Sequence, residues 1–148
     1  MTLSTSVTAR KLHSQHKLLL IDLFASLFCV LFGAVYECFG HGVYSYGMLY
    51  AFVFPLVLGV LPLLLIAVLR APYPNRFVRN VCHAGIATLT VGSLVSGALE
   101  IYGTTNPLTL VYWILGGLLV ALGAAGYIVT AFAERRNKSD SPKEAHTY

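Results

Sequence analysis

Four apolar runs, each long enough to cross a bilayer, constrain this chain more than any motif within it. They cover residues 18–40, 47–69, 81–102 and 108–132. A hydrocarbon core about 30 Å thick takes roughly 20 residues of helix, so each run predicts one membrane-spanning helix. Backbone groups in lipid must bond within their own segment, which makes helix the only economical reading of such runs. The predicted fold is all-α, a polytopic four-helix transmembrane bundle over residues 18–134. Polar segments 1–17 and 135–148 flank it, the second read as a disordered tail. With 57% hydrophobic and 11% charged residues, the 148-residue chain is too apolar for a soluble domain of this size. The first run exceeds the apolar length of a secretory signal and continues into Glu37 and His41 without a small-residue cleavage pattern, so it reads as a retained helix.

Charge sets the expected orientation. The ten basic residues fall in three places: Arg10, Lys11 and Lys17; Arg70, Arg76 and Arg79; and Arg135, Arg136, Lys138 and Lys143. The connections "HGVYSYG" and "GTTNPLT" carry no Lys or Arg. Basic residues favour the cytoplasmic side, which predicts that both termini are cytoplasmic. Tyr36, Tyr44, Tyr46, Tyr50, Tyr102, Tyr112 and Trp113 then gather near the outer face, as amphipathic rings do at headgroup level. The net charge of +4 follows from these helix flanks, and with no aromatic platform between the clusters it excludes a nucleic-acid partner. Expected partners are the lipid bilayer and a second copy of the chain or another membrane protein.

Ionisable side chains inside spanning segments are costly, commonly about 2.5 to 3.5 kcal/mol at a helix centre. Here they are Asp22 and Glu37, with His41 just beyond, on the first helix, and His83 and Glu100 on the third. At about 100° per residue, Asp22, Ser26, Cys29, Gly33 and Glu37 share one stripe. Cys82, Gly85, Gly92, Ser93, Ser96 and Glu100 share another, with His83 at its edge or outside it. Both stripes are predicted to face inward. The two helices run in parallel, so Asp22 meets the level of His83 near the cytoplasm, and Glu37 and His41 meet Glu100 at the outer end. On each helix the two levels lie about 22 to 26 Å apart.

Two carboxylates and an imidazole can hold a divalent cation or pass protons, and Glu37 and His41, four residues apart, can point at one object. The plainer reading puts Glu37 and Glu100 at the wet interface, His41 in a turn, and Asp22 with His83 as an ion pair. Three functional classes fit: binding or transport of a cation or proton at an outer Glu37/His41/Glu100 vestibule; an accessory or assembly subunit in which the stripes only pack helices; and a membrane redox protein. A haem between His41 and His83 is disfavoured, because the two lie at opposite faces. Cys29, Cys38 and Cys82 suggest no internal disulfide. No nucleotide or nucleophile motif appears, so the chain reads as no enzyme of those classes.

Pro55, Gly59 and Pro62 predict an irregular second helix. Gly116, Gly117, Ala121, Gly123, Ala124, Ala125 and Gly126 predict close helix approach on the fourth, within the bundle or between protomers. The phrases "VYECFGHGVYSYGMLYAFVFPLVLGVLP" and "HAGIATLTVGSLVSGALEIYGTTNPLTLVYW" resemble those of uncharacterised small multi-pass membrane proteins of Gram-positive bacteria. That resemblance covers about two thirds of the chain and implies a bacterial plasma membrane, but no activity or cofactor. Size and helix count also resemble small multidrug exporters, which place a glutamate deep in the first helix; Glu37, near the outer end, departs from that pattern.

Overall fold

A computed structural model describes residues 3–39, 44–69, 71 and 73–140; His41, Arg70 and Lys143 lie outside the described residues. The chain is all-α: α1 (Leu3–Phe39), α2 (Tyr46–Leu49), a π-helical segment (Phe54–Val60), α3 (Leu61–Val68), α4 (Arg76–Ile101) and α5 (Thr109–Asp140). Four stretches are long and apolar enough to span a membrane: His16–Phe39, Tyr46–Val68, Arg76–Ile101 and Thr109–Ala133. α1 and α5 run past their apolar stretches, into residues 3–15 and 134–140.

Consecutive spans pack in chain order. α1 packs on α2 and the π-helical segment, α4 packs on their other side, and α5 packs on α4. Among the described residues α1 and α5 share no extended packing face. The edge-on contact of Phe54 with Trp113, ring centres 5.6 Å apart, ties the second span to α5.

The pattern of burial is that of a protein solvated by lipid. Large apolar side chains such as Phe24, Phe28 and Leu31 point outward, while Asp22, Ser26, Cys29 and Gly33 turn inward along α1 as the stripe predicts. Lipid tails are as apolar as leucine, so close contact of small residues and hydrogen bonds hold the helices together instead. Gly85 and Gly92 of α4, seven residues apart, receive Val120 and Tyr112 of α5. In return Gly116 and Gly123, also seven apart, receive Leu89 and Cys82.

One expectation needs revision here. The small and polar residues of α4 do not form a single inward stripe, because α4 is sandwiched between two partners. Gly85, Gly92 and Cys82 face α5, whereas Ser93, Gly97 and His83 face the second span and α1. His83 fell outside the predicted stripe because it belongs to the other face.

The second span is broken where its prolines and glycines predict. The Ala51 amide bonds Met48 O rather than Gly47 O, which tightens the first turn, and after Pro55 the backbone widens into i to i+5 bonding, with the Leu61 amide on Leu56 O. Proline carries no amide hydrogen, so Pro55 leaves the Ala51 carbonyl without its α-helical donor. Two carbonyls of this irregular stretch also accept from serines on neighbouring helices, Phe52 O in addition to the Leu56 amide. Ser93 Oγ donates to Gly47 O at 2.5 Å, and Ser26 Oγ donates to Phe52 O at 3.3 Å.

Candidate functional site

Asp22 and His83 meet. His83 Nδ1 lies 3.3 Å from Asp22 Oδ1, and the aspartate side chain is 6% exposed against 25% for the histidine. Each residue sits about two turns inside its span, some 10 Å from the span's start at 1.5 Å per residue. The second carboxylate oxygen, Oδ2, is buried with no hydrogen-bond partner among the described residues. It is turned to Gly59 of the π-helical segment, where a Cβ would come within 2.7 Å of it. Only glycine lets the second span close over this carboxylate.

Glu100 lies at the opposite end of α4. Its Oε2 accepts a hydrogen bond from Ser45 Oγ at 2.5 Å, a short, charge-assisted geometry. Ser45 is the N-cap of α2, and the same Oγ accepts from the Met48 amide at 3.4 Å. One buried hydroxyl thus joins the start of the second span to the end of α4. Glu37 presents a buried oxygen, Oε1, without a partner among the described residues. Tyr36 beside it approaches Tyr102, just past α4.

Met48 stands between those two helices. It is 1% exposed, with Gly33 of α1 against it on one side and Gly97 of α4 on the other. Glu37 and Glu100 follow these glycines by one turn each, so the two carboxylates share a level on either side of the α2 start. Among the described residues no three His, Cys, Asp or Glu side chains gather as metal ligands, and His41 lies outside them. Cys29 is buried and Cys38 exposed; both are free thiols, as is Cys82.

Sequence reasoning did not single out Ser45, Gly59 or Met48 as partners of the ionisable residues. Ser45 carried a readable signal, since a serine directly before an apolar helical run is an N-cap. Replacing it by alanine removes a cap worth about 0.5–2 kcal/mol and leaves Glu100 Oε2 without its donor. Ser45→Ala should therefore lower the thermal midpoint in detergent, whereas Ser45→Thr, which keeps the hydroxyl, should retain most of it.

No family model, curated protein or solved structure matches this chain. What it can be said to be is a small polytopic membrane protein with four candidate spans.

Proposed function

We propose that this protein binds and moves protons across a membrane, with the buried Asp22–His83 pair as its proton-binding centre. The observation that carries this reading is that carboxylate itself: some 10 Å inside a span, paired on one oxygen, and unpartnered on the other among the described residues. An intramembrane acid is expensive unless it does something with charge, and a carboxylate–imidazole pair exchanges protons at ordinary pH. Close packing against Gly59 leaves Oδ2 no space for a coordinated ion, while a proton needs none. The neighbouring span is discontinuous, and transporters build their sites beside such helices.

In this reading both termini face the cytoplasm of a bacterial cell. Asp22 and His83 then form an inner site, and Glu37 and Glu100, with His41 nearby, line an outer vestibule open to protons or a cation. An accessory role is favoured by a different observation. Gly117 of α5 has open space beside it, and Ala121 and Ala124 are exposed, a face suited to a second copy or a partner helix.

Infrared difference spectra between acid and alkaline samples of the purified protein separate the two. A proton-binding pair should give a carboxyl carbonyl band that Asp22→Asn removes and an imidazole band that His83→Gln removes. Each substitution should also shift the other residue's band, because the two side chains lie 3.3 Å apart. Difference spectra identical in wild type and both variants would leave only the accessory role.

A further inference from the structure

Contacts along the second span fix which residues share a level. Asp22 lies against Gly59, Ser26 bonds Phe52 O, Gly33 and Gly97 flank Met48, and Ser45 bonds Glu100. From Asp22 to Glu37 the distance along α1 is about 22 Å. Each end holds a carboxylate with a buried oxygen that has no donor among the described residues, Asp22 Oδ2 and Glu37 Oε1. Polar groups extend inward from both ends: Ser26 on Phe52 O from the Asp22 side, and Ser45, then Ser93 on Gly47 O, from the other.

Between them lies a dry section. Cys29, Met48 and Ala51 are 3%, 1% and 0% exposed, and none offers a carboxylate, imidazole or hydroxyl. Met48 packs its backbone and Cβ against Gly97 and its carbonyl oxygen and Cγ against Gly33, so main chain and side chain together form this barrier, and the part beyond Cβ is the part that can move.

The geometry points to a proton path between two carboxylate sites, Glu37 with Glu100 at one end and Asp22–His83 at the other, closed in this conformation by Met48. It rests on the reading that the Asp22–His83 pair binds a proton, and adds to it the second site, the route and the gate. The groups facing each end are few. At Asp22, α4 contributes His83 and the second span contributes Gly59; at Glu100, the Ser45 hydroxyl at the start of α2 donates; beside Glu37, Tyr36 approaches Tyr102. On the far side of α4, Cys82 faces Gly123 of α5. With Met48 displaced, a proton leaving a protonated Glu37 or Glu100 passes through entering water and the serine hydroxyls to the Asp22 carboxylate, and His83, 3.3 Å from that carboxylate, takes it onward.

Proteoliposomes containing the full chain, an imposed potassium diffusion potential and an internal pH dye test the path. Met48→Ala should raise proton flux over wild type by at least roughly tenfold, a barrier lowered by about 1.4 kcal/mol. Adding Asp22→Asn or Glu37→Gln to that variant should return the flux to the wild-type level. Should Met48→Ala not assemble as wild type does, by circular dichroism and elution, Met48→Val tests the same rise with less side chain removed. A flux unchanged by the gate substitution overturns the path, as does a leak that survives in either double variant. The infrared bands report on the pair alone. Bands present without a flux rise reject the path and leave the pair; bands absent reject both.

Discussion

His83→Ala should be among the most damaging single substitutions in this protein, costing about 3 kcal/mol of stability, the lower end of the range for breaking a buried pair. The lower end applies because His83 retains a quarter of its exposure. The loss comes mainly from what is left behind: an Asp22 carboxylate 6% exposed, with neither oxygen partnered by an imidazole and Gly59 packed over one of them. Asp22→Asn in the same chain removes the stranded charge at nearly constant volume. The double variant Asp22→Asn/His83→Ala should therefore recover most of the stability that His83→Ala loses. Unfolding free energies in mixed micelles for the wild type, the two single variants and the double give the coupling directly. A coupling energy near zero would mean that the 3.3 Å approach carries no net interaction.

The same pair shows how far the sequence can be read. The turn arithmetic on α1 put Asp22, Ser26, Cys29, Gly33 and Glu37 on one face; the first four are buried and Glu37 is half-buried. It worked because the second span and His83 of α4 both meet α1 on one side, so a single stripe answers its partners. On α4 the arithmetic merged two faces into one, because a helix packed on both sides presents two stripes that overlap on a wheel. His83 was placed at the level of Asp22 by parallel running of the helices, but its orientation toward Asp22 needed the second span's position. Gly59 and Met48 carry no local signature of their roles. Glycine at 59 looks like a proline-associated kink residue until the carboxylate facing it is known, and Met48 looks like any apolar residue of a span. Ser45 and Glu100 are 55 positions apart, and only the fold brings them to 2.5 Å.

Glycines on the two faces of α4 supply the other large effect. Gly85→Ala and Gly97→Ala should each destabilise the protein by about 1–3 kcal/mol, the usual cost of forcing extra carbon into a closed contact. A methyl at 85 would sit 2.7 Å from the Val120 backbone nitrogen and 3.0 Å from Gly116 O; one at 97 would sit 2.6 Å from the Met48 nitrogen. Backbone atoms cannot rotate away as a side-chain tip can, so the helices must separate. Gly117→Ala is the control. Gly117 adjoins Gly116 and reads identically in the sequence "LGGLL", yet nothing lies within 4 Å of the added methyl. Alanine there should be neutral or stabilising by up to about 1 kcal/mol, since it restricts the unfolded helix backbone. Thermal midpoints in one detergent should thus rank Gly117→Ala at or above wild type and Gly85→Ala and Gly97→Ala well below it. The ranking also distinguishes the two roles of α5's small residues. If Gly117→Ala instead weakens a dimer seen by crosslinking while leaving the monomer's stability unchanged, the open face beside Gly117 is an interface rather than a lipid contact.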